Sequence, residues 1–371
     1  MIREKFASIE GIAAEWGDLA DRVAAPPWSR PEWFAAWWRA FGTGRLEIVA
    51  LRRDERVVAV VPLARRLGSA VSPTNWHTPQ FELLAEDDPA RRELAAAVLQ
   101  QRPAHLSLRF LDADDASVGA VEAAADDGGY RIRVRTVDEA PYVPIDDDWS
   151  AYRQRLDRHV RRELERTRRR LGEQGEVGCD VADGRARLGE LLAEGFTVEG
   201  SRWKVAAGTA IVSRPETARF YTEIAQWAAR RGWLRLAFLR LDGRPLAFEL
   251  CFEVGGVWYA LKGGYHVEYR RFGPGMLLTH ELLARAFERR LTSYEFLGSP
   301  EPYKLQWTNA VRERLQFEAF APSAIGAVHR GASAYGRPIA SRTLALWRAV
   351  HASAKGAARR AQPSQRHGSE T

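Results

Sequence analysis

Apolar and polar positions alternate along this chain with two periods, and the switches between those periods lay out its elements. Trp33, Phe34, Trp37, Trp38 and Phe41 recur at helical spacing. They follow Ser29-Arg30-Pro31-Glu32, where Ser29 can cap a helix, Glu32 lies three residues on and Pro31 suits the first turn. These aromatics are expected to be core. Two apolar runs, 46–51 and 57–63, flank the polar turn 52–56 and predict a β-hairpin. Onward the pattern predicts a helix near 89–100, a strand near 106–111, a helix near 117–126 and a strand near 130–136.

Residues 149–175 read as a joint. Leu156, Val160, Leu164, Thr167 and Leu171 form a stripe at steps of three and four, while nine arginines and three acids occupy 153–170. This is an amphipathic helix with a basic outer side, either a solvated face or a site for an anionic ligand or polymer. The rhythm then repeats, with helices near 186–194 and 214–231 and strands at 234–241, 245–253 and 257–262. Asp242-Gly243 is a hairpin-turn dipeptide between the first two. A helix is expected from Pro274 to about Arg290, and two short strands, 293–297 and 315–320, finish the half.

The chain has 371 residues, enough for two domains or one large pseudo-symmetric unit. Its net charge of +7 is not evenly spread. From Ile325 to Thr371 eight Lys or Arg stand against one acid, so the body before them sums to zero. The basic character belongs to the tail, and a body-wide nucleic-acid footprint is not supported, with no DNA partner expected. That tail could make peripheral contact with an anionic surface or be a solvated extension. Cys179 and Cys251 are isolated, with no CxxC and no His cluster nearby. Neither a disulfide framework nor a metal site is expected, and a reducing, cytoplasmic setting follows. The first residues lack a signal-peptide pattern, and no window of about 18 apolar residues is present.

Four stretches could carry chemistry. In Tyr269-Arg270-Arg271-Phe272-Gly273-Pro274-Gly275-Met276, glycines at a helix start let backbone N–H groups approach a ligand, and two arginines add charge. That assembly suits a pyrophosphate such as that of coenzyme A, although Gly-Pro-Gly before a helix is also an ordinary turn. In Glu295-Phe296-Leu297-Gly298-Ser299-Pro300-Glu301-Pro302-Tyr303-Lys304, a lysine beside a tyrosine after a strand end could hold an anion or stabilise developing charge. The plainer alternative is a surface lysine beside a core tyrosine. Glu199 to Lys204, with Trp203 and Lys204, and the run Trp258 to Tyr265, with Tyr259, Lys262 and Tyr265, set aromatics beside lysines near strand ends. Such groups can make a groove for a sugar or peptide acceptor.

In this order these stretches resemble the acetyltransferase domain of the CelD/BcsL type, a branch of the GNAT superfamily close to the FemAB peptidyltransferases. The likeness covers roughly residues 150–320. It rests on the Arg-rich helix, Trp203-Lys204, Phe220-Tyr221, Asp242-Gly243-Arg244-Pro245-Leu246-Ala247, Gly273-Pro274-Gly275 and Tyr303-Lys304 with Trp307. Residues 29–65 resemble the first half of such proteins. The family pattern has Asp before the Phe of the late strand, where this chain has Glu295.

The resemblance implies an α/β (α+β) tandem GNAT-like acyltransferase fold, with two mixed, largely antiparallel sheets flanked by helices. It implies a first half at 1–148, an acetyltransferase half at 149–322 and a basic tail at 323–371. It implies acetyl-CoA or another acyl-CoA as co-substrate, and as acceptor an amine or hydroxyl of a sugar, polysaccharide precursor or similar small metabolite. Arg270, Arg271, Gly273, Gly275 and Met276 would then hold the donor. Lys304 and Tyr303 would lie near the reacting centre, and Trp203, Lys204, Tyr259, Lys262 and Tyr265 near the acceptor. Direct transfer needs a base, for which Glu249, in an otherwise apolar strand, and Glu199 are the candidates. No GxSxG nucleophile is present. Two rivals remain: a FemAB-like aminoacyl-tRNA-dependent peptidyltransferase, and a non-catalytic scaffold in a polysaccharide-synthesis complex.

Overall fold

The computed structural model describes residues 1–200 and 211–335. The first half runs β1 (Ile2–Phe6), α1 (Ala13–Arg22), α2 (Pro31–Phe41), β2 (Arg45–Arg53), β3 (Arg56–Arg66), β4 (Ser69–Val71), β5 (Leu84–Ala85), α3 (Asp88–Leu99), β6 (His105–Asp112), α4 (Ala116–Asp127) and β7 (Arg131–Pro144). The second runs α5 (Trp149–Arg155), α6 (Arg158–Gly172), β8 (Val177–Ala182), α7 (Leu188–Glu199), α8 (Pro215–Arg231), β9 (Leu234–Leu241), β10 (Arg244–Val254), β11 (Val257–Tyr265), α9 (Pro274–Glu288), β12 (Ser293–Glu295), α10 (Pro302–Leu305), β13 (Val311–Phe320) and α11 (Ala324–Tyr335).

The two halves share one mixed sheet. Its order is β1-β2-β3-β4-β6-β13-β7-β12-β11-β10-β9-β8, with β5 also on β3. Most pairs are antiparallel, and each half holds one short parallel pair with a helix between its strands. These are β4 with β6 around α3, and β11 with β12 around α9. The expected hairpins are present. Asp54 and Glu55, and then Asp242 and Gly243, all take positive φ, as two-residue turns between right-twisted strands require.

The strand expected to close the second half does something else. β13 lies between β6 and β7 of the first half, pairing with both over most of its length. β7 in turn passes its end, Tyr142 to Pro144, to β12. The halves therefore exchange strands at their junction.

Strands β2 and β3 are buried on both faces. Ile48, Ala50 and Val60 pack under α1 and α2, and Val49, Val58 and Val61 pack under α3 and α4. In the second half, α5, α6 and α9 cover one sheet face and α7 and α8 the other. The aromatic helix α2 is core, as its spacing predicts, and it divides its rings. Phe34 stays with its own half, while Trp33 meets Phe220 edge-on at 5.3 Å and Phe252 at 6.1 Å in the second. Ser29 does not cap α2. Its hydroxyl bonds the Glu82 carboxylate, and Arg30 takes the cap position without a side-chain hydrogen bond. The stripe of the joint holds, with Leu164, Thr167 and Leu171 buried, but Leu156 ends α5 in extended backbone and splits the helix in two. Among the described residues no helix is long and apolar enough to cross a membrane.

Candidate active site

The second half opens where its parallel pair ends. β11 and β12 pair only from Val257/Ser293 to Tyr259/Glu295, yet β11 continues to Tyr265. Beyond Tyr259 it has β10 on one side and, among the described residues, no strand partner on the other, which leaves a gap in the sheet. In the β10 register Leu250 faces Lys262 and Cys251 faces Ala260. Leu261 is thus a bulge residue at the mouth of the gap, and bulges commonly re-aim backbone and side chains beside sites. The opposite lip turns at Leu297 and Gly298, both at positive φ.

The donor-type turn sits at one end of this gap. Gly273, at φ 55° and ψ 43°, opens α9 without a side-chain cap. Pro274 has no N–H, so the amides of Gly275 and Met276 are the free donors of the first turn. Both glycines are closely approached. A Cβ on Gly273 would meet Thr167 of α6 at 3.3 Å, and one on Gly275 would meet the Tyr265 ring at 3.2 Å. Tyr265 therefore packs on the turn, away from any acceptor on the other sheet face, and Met276 is half-buried beside it. Arg270 and Arg271 are exposed, and the Arg271 guanidinium lies 4.7 Å over the Phe272 ring.

A buried polar cluster lies behind the parallel pair. The Tyr294 hydroxyl donates to Glu249 Oε1 at 2.6 Å, and Cys251 Sγ donates to the same oxygen at 3.2 Å. Burial pushes the Glu249 carboxyl above its ordinary range, a rise that the Tyr294 and Cys251 donors partly offset. Burial likewise raises the Tyr294 phenol and the Cys251 thiol. Glu249 is thus neither outward-facing nor isolated. Tyr294 carries no sequence signal of its own, since an aromatic residue in a short apolar strand reads as packing.

Lys304 and Tyr303 reverse the plainer expectation for the pair. Lys304 is buried at 5% exposure, while Tyr303 is 55% exposed. Lys304 Nζ donates to Leu297 O at 2.7 Å and Ser299 O at 3.0 Å, and pairs with Glu301 at 3.1 Å. An ammonium has three donors, and all three are occupied by the lip of the gap. Burial lowers the Lys304 pKa, against the Glu301 charge that raises it.

The acceptor-type residues meet on the other sheet face, beside the first half. Glu199, fully buried at the end of α7, accepts from Ile211 N at 2.8 Å and lies 3.7 Å from Lys262 Nζ. A Cβ on Gly264 would meet Glu199 Cα at 2.8 Å, so α7 rests directly on β11. Lys262 lies 4.7 Å over the exposed Trp76 ring, which belongs to the first half. Next to it His77 Nδ1 meets Tyr221 Oη at 3.1 Å, and burial drives the His77 pKa down to about 3. Tyr259 meets Trp28 of the first half edge-on at 4.9 Å. Sequence reasoning missed Trp76, His77 and Trp28, because nothing local ties them to residues some two hundred positions away. Trp203 and Lys204 lie outside the described residues, as does most of the basic tail. Among the described residues no group of His, Cys, Asp and Glu is placed to hold a metal ion.

Residues 158–305 match the family model described as acetyltransferase (GNAT) domain. The match falls within the second half, and the enzyme class is acyltransferase. No curated protein sequence matches the chain. Among solved structures it is similar to FemX, at 13% identity and a TM-score of 0.54, over 86% of this chain and 97% of that one. It is also similar to the C-terminal domain (DUF2156) of a putative lysylphosphatidylglycerol synthetase from Agrobacterium fabrum, at 11% identity and a TM-score of 0.56, over 88% and 96%. A conserved protein of unknown function from Bacteroides thetaiotaomicron matches at 10% identity and a TM-score of 0.52, over 86% and 100%. At these identities the likeness is one of fold, and it extends across both halves.

Proposed function

We propose that the protein transfers an acyl group from acyl-CoA to an amine or hydroxyl of a sugar, polysaccharide precursor or similar small metabolite, as the CelD/BcsL resemblance implies. The observation that carries this reading is the gap between β11 and β12, with the uncapped α9 turn at its end. The amides of Gly275 and Met276, with Arg270 and Arg271, would receive the donor pyrophosphate. The thioester would lie along β11 near the Leu261 bulge, where backbone N–H groups polarise its carbonyl. The acceptor would enter from the face of Lys262 and Tyr259, attack that carbonyl and expel the CoA thiolate, with no covalent intermediate on the enzyme. Holding both reactants in one gap supplies much of the rate. Glu249, whose carboxyl titrates above the usual range, or Glu199 would take the acceptor proton through water. Lys304 acts here as a positioning residue that fixes the lip, and Tyr303 flanks it.

The test is calorimetric titration with acetyl-CoA, repeated on Arg271→Ala. Saturable binding that weakens markedly in the variant supports the reading, and no binding at millimolar acetyl-CoA overturns it. A second reading, transfer from an aminoacyl-tRNA, is favoured by one observation. α6 packs on the donor turn and carries Arg158, Arg162 and Arg170 with no ion-pair partner among the described residues. Failure with acetyl-CoA, together with salt-sensitive binding of charged tRNA, would select it.

A further inference from the structure

The first half carries a second cationic site, built by strand register. β13 inserts between β6 and β7, and Gln316 stands opposite Arg109 on one side and Arg135 on the other. Directly opposed residues share a sheet face, so Arg109, Gln316 and Arg135 form a row across three strands. The next row, Ser107, Glu318 and Arg133, lies on the same face. The opposite face, with Leu108, Phe317 and Leu106, is packed under α3 and α4.

This row is arranged as a receptor for negative charge. Gln316 Oε1 accepts from Arg135 Nη2 at 2.8 Å, and Gln316 Nε2 donates to Ser107 Oγ at 3.1 Å, which fixes the Arg135 fork. Arg135 Nε is buried without a hydrogen-bond partner among the described residues, with Glu318 at 3.9 Å. Glu318 itself is shared with Arg133 at 3.7 Å and His105 at 3.4 Å, and accepts from Ser333 at 2.7 Å. Arg109 is exposed and has neither an ion pair nor a side-chain hydrogen bond among the described residues. Although the residue keeps surface exposure, the protein packed around its guanidinium, which lies 4.8 Å over the Phe110 ring, and the neighbouring Arg135 charge lower its pKa, and Asp138 opposes them. Arg109 and Arg135 stand two strands apart on one sheet face, about 10 Å between backbones, and a bound dianion between their side chains would turn their mutual repulsion into attraction. Guanidinium forks match phosphate oxygens in pairs.

The position relative to the gap is also set by β13. Four residues before Gln316, Arg312 bonds Glu295 at 3.0 Å, at the end of the parallel pair. Between them Arg314 is held by Asp112 and Pro79 O. At about 3.4 Å per residue, the row lies roughly 14 Å along the strand from the edge of the gap. The loop that bears Trp76 starts beside it, where Ser72 Oγ accepts from Arg109 N at 2.9 Å.

Resting on the acyl-transfer reading for the gap, we propose that Arg109 and Arg135 bind a phosphate or diphosphate group of the acceptor. The acceptor class is then a phosphorylated metabolite long enough to reach from this row to the gap. The probe is inorganic pyrophosphate, titrated by calorimetry into the Arg271→Ala protein, in which the donor turn is weakened; any binding left at that turn is insensitive to Arg109 and Arg135. Saturable binding is expected in that parent. It should weaken about tenfold or more on adding Arg109→Gln or Arg135→Gln, the loss of one charge-assisted contact. Without ligand, the Arg109→Gln protein should melt at or above the parent temperature, because a repulsion has been removed. Equal affinity in all three proteins, or none in the parent, overturns the proposal. Acetyl-CoA binding to the otherwise unaltered chain is measured separately, so failure of the donor reading remains distinguishable from failure of this one.

Discussion

Replacing Lys304 by methionine tests whether this lysine organises the lip of the gap. Methionine keeps the length and apolar stem of the side chain but leaves the buried Leu297 O without its donor, while Ser299 O keeps the Glu301 N–H and the part-exposed Glu301 carboxylate turns to water. One buried unsatisfied acceptor costs about 1–3 kcal/mol. Removing a desolvated ammonium returns part of that sum, which leaves a net loss of about 1.5 kcal/mol. An unfolding entropy of about 2 cal/mol/K per residue gives about 0.8 kcal/mol/K for a chain of this length, so the melting temperature should fall by ~2 °C. Hydrogen exchange should locate the damage, with the amides of Gly298 and Glu301 exchanging faster and those of β9 unchanged. An unaltered melting temperature together with unaltered exchange at the lip would refute the account, since Leu297 O would then be satisfied without the lysine.

Further outcomes follow from the same geometry. In Tyr294→Phe, Glu249 loses its hydroxyl donor, so its already elevated pKa should rise further; carboxyl titration by carbon-13 NMR reads this, and a fall would show that the hydroxyl does not stabilise the carboxylate. His77 is held neutral with its pKa depressed to about 3 from 6.5. The unfolded chain alone therefore takes up this proton as pH falls below 6.5, and stability should drop between about pH 6.5 and 3 by up to ~5 kcal/mol. Denaturant unfolding of His77→Phe should lack that portion of the slope, and an unchanged slope would contradict the assignment. Gly264→Ala places a methyl 2.8 Å from Glu199 Cα, a backbone atom that cannot swing aside. A loss of about 1–3 kcal/mol is expected, whereas a neutral result would mean that α7 is not seated on β11 as described.

The elements whose pattern was legible were those with one clear period. The stripe of α6, the turn at Asp242 and Gly243 and the doubly buried strands β2 and β3 follow from side-chain spacing alone. β1 and β8 were not anticipated, because short edge strands with alternating polar residues carry little apolar signal. The membership of β13 was beyond reach for a different reason. Its apolar face fits either half, and only pairing partners distant in sequence decide. The donor-type turn could be found because glycine, proline and arginine are adjacent in the chain. The Glu249–Tyr294 contact and the Lys262–Trp76 stack could not, since each joins separated segments whose residues are ordinary in their own context. Lys304 shows the limit from the other side. A lysine after a strand end suggests a ligand, but its partners prove to be carbonyls only five and seven residues back.

The strand exchange at the junction also sets an order for making the protein. β13 is translated long after β6 and β7, and until it arrives those two strands leave a vacant strand position between them. A first half ending near residue 148 would present two unpaired edges flanking apolar Leu106, Leu108 and Ile132, the kind of surface through which chains aggregate. The sheet therefore completes only when the ribosome has passed Phe320, and the contacts that complete it are among the most distant in the sequence, which favours slow folding. Separate expression of the halves should yield insoluble first half, unless residues 311–320 are supplied to it as a further strand.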